Sequence, residues 1–227
     1  MSALKPLRLL LLGAPGSGKG TVTSRLLKVY PGIQSISSGD LLRRQIAQKT
    51  HIGLEALNYT SKGALVPDSV ITKLIVDDLK ENIINPQVQH WLLDGFPRKV
   101  SQAEDLDAAL KPAGEKSVFN LVVEIDVPQS VIVERITNRR VHVPSGRVYN
   151  LQYKPPKVPG KDDITGEALV QRLDDTEEIV TKRLNDYNAL VSPLKKYYRD
   201  LGILKTVSGE TSDIVFPKLL DVIQNKI

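Results

Sequence analysis

Four consecutive leucines, Leu9 to Leu12, run straight into GAPGSGKGT, Gly13 to Thr21, and this junction constrains the fold more tightly than any other stretch of the chain. A short apolar run closed by a glycine-rich turn reads as a buried strand, and the turn has the spacing of a phosphate-binding loop. A loop that closes on a polyphosphate needs close backbone approach at several points, which Gly13, Gly16, Gly18 and Gly20 permit because they lack a Cβ. Their amides then form the cradle. Lys19 stands where a strand-to-helix turn aims an ammonium at the β- and γ-phosphates, and a helix starting near Gly18 adds its N-terminal dipole. The usual Ser/Thr after the lysine is Gly20 here, with Thr21 one place later.

The rest of the chain reads as alternating strands and helices. Buried parallel strands are expected at Leu7 to Leu12, His90 to Leu93 and Asn120 to Ile125, with Ile203 to Val207 as a fourth. Helices are expected after Lys19, from Ser38 to about Gln48, Asp68 to about Asn82, Pro128 to about Arg140, Asp175 to about Leu190, and at the C-terminus. Pro128 suits the first turn of its helix, and Asp68 and Ser38 suit N-caps. The alternation argues for a parallel sheet covered by helices on both faces. The segment from His142 to Ala168 departs from it, being rich in Pro, Gly, Val and Tyr, and reads as a small insertion with its own short strands.

Composition excludes several function classes. The 227 residues carry no cysteine, which removes disulfides and thiolate metal sites. The formal charge of +5 admits a nucleic-acid partner, but the basic residues are dispersed among acids and aromatics are only 5%, so neither a nucleic-acid surface nor stacking platforms are expected. No apolar run approaches the roughly 18 residues of a membrane span. The N-terminal MSALKPLRLLLLG looks like a truncated signal peptide in isolation; because it flows into the phosphate loop, it is read as the first strand.

A second chemical constellation is WLLDGFPR, Trp91 to Arg98, a buried strand ending in an acid, then a tight turn and an arginine. Ligands of open α/β sheets collect at such carboxyl ends. Asp94 there can hold the water shell of Mg²⁺ without ligating it directly, and Arg98 can clamp a phosphate; an isolated Asp-Gly pair could equally just cap the turn. Gln102 lies four residues beyond Arg98, so both fall on one side of a helical turn. Arg135 and Arg139, also four apart, are expected on one helix face.

With these motifs in view the chain resembles the nucleoside monophosphate kinases, specifically adenylate kinases of the long-lid type. The resemblance rests on GAPGSGKGT, SSGDLLR (Ser37 to Arg43), LLDGFPR (Leu92 to Arg98), NRRVHVPSGRVYN (Asn138 to Asn150), DDITGEAL (Asp162 to Leu169) and QRLDD (Gln171 to Asp175), and it covers almost the whole chain. The Gly20-Thr21 ending agrees with that family's own form. The resemblance implies an α/β P-loop NTPase core with a five-stranded parallel sheet flanked by helices, over 1–36, 67–137 and 176–227. It adds a helical AMP-binding insertion at 37–66 and a β-rich lid at 138–175. It implies that AMP is bound by Ser38, Arg43, Ala64, Leu65, Val66, Gly95, Phe96, Pro97, Arg98, Gln102, Arg172 and Arg183. The donor is implied to be held by Gly16, Ser17, Gly18, Lys19, Gly20, Thr21, Arg139, Val148, Tyr149 and Thr211. Lys19, Arg98, Arg135, Arg139, Arg172 and Arg183 are the implied catalytic cations, surrounding the transferring phosphoryl group.

The expected reaction is Mg-dependent phosphoryl transfer to AMP. Where some relatives carry four zinc-binding cysteines in the lid, this chain has His142, Ser145, Asp162 and Thr165, a poor zinc set, so a hydrogen-bonded cluster and no structural zinc are expected. Three features, Thr21-Val22, Ser37-Ser38 and VSGETSDIVFP (Val207 to Pro217), resemble the mitochondrial members that use GTP (or ITP) as donor, with ATP as the alternative. The same likeness implies the mitochondrial matrix. No long Arg-rich leader is visible, so import would rely on an uncleaved N-terminal region; a cytoplasmic location is the alternative. The expected partners are these nucleotides alone, with no nucleic acid or membrane, and the expected state is a monomer. A GTP-binding switch would share the phosphate loop but should carry an NKxD-type guanine-reading motif, which is absent.

Overall fold

In the computed structural model, residues 6–60, 64, 66–83, 88 and 90–226 are described. Five strands, β1 (Leu7–Gly13), β2 (Gln34–Ser37), β3 (His90–Asp94), β4 (Leu121–Asp126) and β7 (Leu204–Ser208), form one parallel sheet in the order β2-β3-β1-β4-β7. The central strand is the leucine run. Leu7, Leu9 and Leu11 pack into one helical layer and Leu10 and Leu12 into the other, which is why the run is continuous and not alternating. Each fully buried leucine contributes about 1.5–3 kcal/mol of apolar transfer.

The covering helices are α1 (Lys19–Val29), α4 (Asp68–Asn82), α5 (Val100–Leu110), α6 (Gln129–Thr137), α7 (Glu177–Asp200) and α8 (Ser212–Gln224). Two more, α2 (Ser38–Ala47) and α3 (His51–Thr60), follow β2. An antiparallel pair, β5 (Arg139–Val141) and β6 (Val148–Asn150), opens the segment expected to be β-rich, and single bridges Val141 to Val170, Asn150 to Lys154 and Lys161 to Ala168 extend it. Among the described residues, no helix is long and apolar enough to cross a membrane.

Several sequence expectations need correction. The fifth strand of the expected sheet is β2, and α3, within the expected helical insertion, and α5, which carries Gln102, were not individually placed. The helix expected to reach Arg140 ends at Thr137, where Asn138 adopts φ −90° and ψ 3° and the chain turns into β5; Arg139 therefore sits on a strand and does not share a helix face with Arg135. The helix expected to stop near Leu190 continues through Pro193 to Asp200. Ser37, not Ser38, caps α2, its Oγ accepting from the Asp40 N–H at 3.3 Å. Pro67 occupies the N-cap of α4, so Asp68 is its first helical residue, and Pro128 likewise precedes α6 by one position.

Candidate active site

The parallel register sets the site. Leu11 of β1 pairs with Asp94 at the end of β3, and Ser37 of β2 pairs with Asp94 from the other side, so the phosphate loop, the DGFPR turn and the start of α2 meet at one carboxyl edge. The loop is tightly built. Gly16 has φ +81°, and a Cβ there would come within 2.6 Å of Ile136 Cγ1. Gly20, by contrast, lies inside α1, and a Cβ on it meets no protein atom within 4 Å, so the fold itself does not require glycine there.

Lys19 folds back over the loop, its Nζ donating to the Gly13 carbonyl at 2.8 Å and the Ala14 carbonyl at 3.1 Å, with Asp94 Oδ1 3.9 Å away. Burial pushes the ammonium pKa down; Arg98, Arg183 and Arg139 push it the same way, and Asp94 opposes them. Burial also pushes the Asp94 carboxyl up, against the opposing pull of Lys19 and Arg98. Asp94 Oδ1 and Ser17 Oγ are both buried without a hydrogen-bond partner, leaving polar atoms beside the loop ready to serve a ligand.

Around this pair arginines converge from separate parts of the chain: the turn after β3, β5, the loop before α7, and α7 itself. Arg98 donates through Nε to the Gly95 carbonyl at 2.9 Å, which curls its guanidinium back over the turn. Gly95 has φ +84°, and a Cβ there would fall 2.6 Å from Ser38 Oγ, so Ser38, Gly95 and Arg98 form one packed corner. The Phe96–Pro97 bond in this turn is cis, and Phe96 is buried. Arg139 is held by Asp175, Nε to Oδ2 at 2.8 Å and Nη2 to Oδ1 at 2.5 Å, and Arg183 by Asp174 at 2.5 Å. Burial and the charges of Arg139 and Arg43 press the Arg172 pKa down to about 10. These cations repel one another in the unligated protein, an arrangement that a polyanion would relieve. Arg43 itself pairs with Asp40 at the rim.

The remaining expected residues fall less uniformly. Arg135 stands apart from the Lys19 cluster, donating to the Glu210 carbonyl and lying 5.4 Å over the Tyr153 ring. Thr211 is the N-cap of α8, accepting from the Ile214 N–H at 3.3 Å, and its neighbour Ser212 reaches the phosphate loop, its Oγ 3.0 Å from where a Gly18 Cβ would lie. Ala64 donates to the Tyr59 carbonyl at 3.0 Å and Val66 is buried, whereas Leu65 lies outside the described residues. Thr21 and Val148 are exposed. Tyr149 is 4% exposed, and its hydroxyl donates to Asp162 Oδ1 at 2.9 Å.

That segment is organised by the polar cluster expected from the sequence, with additions. His142 Nδ1 lies 2.7 Å from Ser145 Oγ, and Thr165 Oγ1 donates to Asp162 Oδ2 at 3.1 Å. Arg147 adds a two-bonded pair to Asp162 at 2.8 and 2.7 Å, and Glu167 meets His142 Nε2 at 2.5 Å. Hydrogen bonding from Arg147, from backbone N–H groups of Thr165 and Ile164 and from Tyr149 holds the Asp162 carboxyl far below the usual range, against a desolvation contribution that raises it. No group of three or more His, Cys, Asp or Glu able to hold a metal occurs among the described residues.

Residues missed from the sequence are mostly partners of arginines. Asp174 and Asp175 were visible as an acidic pair two residues past Arg172, but nothing local tied them to Arg183 and Arg139. Asp68 and Lys99 form another such pair beside Gln102.

A P-loop sheet, a half-buried lysine folded over the loop and converging arginines define a phosphoryl-handling α/β protein, and the chain belongs to the adenylate kinase family: the sequence pattern of the family described as "Adenylate kinase" matches residues 11–203. Among its relatives, a protein of Saccharomyces cerevisiae described as "GTP:AMP phosphotransferase, mitochondrial" is 61% identical over 224 residues, 98% of this chain and 94% of that one. A Drosophila melanogaster protein of the same description is 42% identical over 215 residues, covering 95% of this chain and 94% of its own length.

Proposed function

We propose that this protein catalyses the reversible, Mg-dependent transfer of the γ-phosphoryl group of GTP, or ITP, to AMP, giving GDP and ADP. The observation that carries the proposal is the sheet register that brings the phosphate loop and the turn bearing Arg98 to one carboxyl edge, with Arg98, Arg139 and Arg183 near enough to act on the Lys19 charge. A loop that only held or hydrolysed one nucleotide would have no use for these arginines.

In this reading the loop from Gly16 to Thr21 and Lys19 grip the donor phosphates, while Arg98 takes the AMP phosphate. Ser38, Arg43, Ala64, Leu65, Val66, the Gly95–Pro97 turn and Gln102 complete the acceptor side; Val148, Tyr149 and Thr211 border the donor. A phosphate oxygen of AMP attacks the γ-phosphorus in line as the bond to the bridging β-oxygen breaks, and the electron pair leaves with GDP. No protein base is needed, because that phosphate is already ionised at neutral pH. Arg139, Arg172 and Arg183 answer the charge spreading over the equatorial oxygens, and Arg135 serves from the donor side. The unpartnered Asp94 Oδ1 and Ser17 Oγ fit a hydrated Mg²⁺, with Asp94 accepting from its water shell. When bound with the donor, Mg²⁺ would neutralise charge on the β- and γ-oxygens.

We further read 37–66 as the AMP-binding part and 138–175 as a lid whose closure keeps water from the donor, on a core of 1–36, 67–137 and 176–227. GTP as donor is supported by the names of the relatives and by Val22, the Ser37-Ser38 pair and the Val207 to Pro217 segment. The mitochondrial matrix is the proposed compartment, since both relatives are named mitochondrial, and a monomer the proposed unit. The test is a coupled assay at constant AMP with GTP, ITP and ATP compared as donors. GTP and ITP should outperform ATP, and Arg98→Ala should lose productive AMP use. Clear preference for ATP overturns the donor assignment alone, and nucleotide hydrolysis indifferent to AMP overturns the reaction.

A further inference from the structure

Gln102 is only 2% exposed, and both ends of its amide are held by partners that cannot exchange roles. Its Oε1 accepts from the Arg98 backbone N–H at 2.7 Å, and its Nε2 donates to Asp68 Oδ1 at 2.8 Å. Asp68 is in turn gripped by Lys99, Nζ lying 2.9 Å from Oδ1 and 3.1 Å from Oδ2. A backbone N–H only donates, and a carboxylate paired with an ammonium only accepts. Turning the amide over would set Nε2 against the Arg98 N–H and Oε1 against the Asp68 carboxylate, so a single orientation is left.

A glutamine amide has two acceptor sites and two hydrogens. One of each is spent on Arg98 and Asp68, which leaves one acceptor site on Oε1 and one hydrogen on Nε2. Adenine presents a 6-amino donor beside an acceptor ring nitrogen, the complement of that residue of capacity. Guanine in the same pose presents an acceptor oxygen at position 6 and an N–H donor at position 1, the reverse order.

We infer that Asp68 is a positioning residue that locks the Gln102 amide and so makes the acceptor site select AMP over GMP. The inference rests on the proposed function and on Gln102 as the reader of the acceptor base. It answers a need particular to an enzyme whose two substrates are different purine nucleotides: the donor side takes guanine, and the acceptor side has to refuse it. Lys99 contributes by anchoring the Asp68 carboxylate to the start of α5.

The test compares AMP and GMP as acceptors at fixed GTP in the wild type, Asp68→Asn, Asp68→Ser, Gln102→Ala and the Asp68→Asn/Gln102→Ala double variant. Asn or Ser at position 68 can donate as well as accept, which removes the Asp68 restraint on the amide and leaves only that of the Arg98 N–H. The AMP-to-GMP ratio of kcat/KM should fall on the order of tenfold in both Asp68 variants, mainly through KM, and Asp68→Asn should add nothing once Gln102 is Ala. The ratio is read on one preparation, so partial unfolding does not move it; calorimetric binding of AMP and GMP gives the same ratio where turnover is too slow. An unchanged ratio in both Asp68 variants, or an equal fall with and without Gln102, overturns the inference. A wild type that does not phosphorylate AMP overturns the proposed function instead.

Discussion

Arg139 and Asp175, 36 positions apart, meet in a two-bonded ion pair whose carboxylate has no exposed surface. The pair fixes the guanidinium where the β5 strand leaves α6, at the edge of the Lys19 cluster. Planar two-point contact gives orientation as well as attraction, which a single lysine could not supply.

Replacing Asp175 by Ala strands the Arg139 charge and removes its orientation. Breaking one side of a buried pair costs about 3–5 kcal/mol, so a marked fall in melting temperature is expected. The kcat should drop at least about tenfold, with a smaller change in the KM for AMP, because the lost interaction belongs to the transferring group. A variant with wild-type kcat would remove Arg139 positioning from the account.

Gly53 lies within α3, where alanine is ordinarily favourable by about 1 kcal/mol. Here a Cβ would fall 2.0 Å from the Gln45 carbonyl oxygen and 2.7 Å from the Ile46 nitrogen, both backbone atoms of α2. Gly53→Ala should therefore destabilise, by about 1–3 kcal/mol, as the two helices are forced apart. Chemical denaturation decides it: a stabilised Gly53→Ala variant would mean that α3 does not pack on α2 in this way.

Asp162 gives the β5–β6 segment a defined acid response. Its pKa is lowered from the ordinary 3.8, so the folded protein binds fewer protons there than the unfolded chain. Stability from this group is complete above 3.8 and is lost as pH falls from 3.8 toward the folded value. Asp162→Asn should melt lower than the wild type at pH 7, and the gap should narrow in scans taken below 3.8. A gap that is constant or widens on acidification contradicts the network.

Lys19 titrates with the opposite consequence. Its pKa is lowered from 10.5, so burying the ammonium costs stability at neutral pH, and that cost is relieved as pH rises toward 10.5. The melting temperature of the unligated wild type minus that of Lys19→Met should rise between pH 7 and 10. The same variant should lose about 100-fold or more in kcat, as removal of a transition-state charge contact does. Full activity in Lys19→Met would separate the loop from phosphoryl transfer.

The legible parts of this protein are those encoded over short distances. The β1 run and its glycine turn, the acid at the end of β3 and the paired motifs of the 138–175 segment each sit within a few residues, so spacing alone carries their meaning. Boundaries failed by local competition: α6 yields at Asn138 to a strand whose partner lies nine residues on, and α7 runs through Pro193 because its flanking apolar residues Val191 and Leu194 are buried in the core layers. β2 has only Ile36 buried, which leaves no apolar pattern to read.

By itself, then, the sequence determined a P-loop α/β fold, its nucleotide chemistry, and which cations are available to it. Tertiary structure alone decided which acid restrains which arginine, why position 53 must be glycine, and which way the Gln102 amide faces. Each of these depends on chain segments that are not neighbours in the sequence, or on one helix closing against another. The physical reason is range: backbone preference and hydrophobic periodicity act within a turn or a strand, whereas ion pairs, steric exclusion and amide orientation are set only after the sheet has brought its carboxyl ends together.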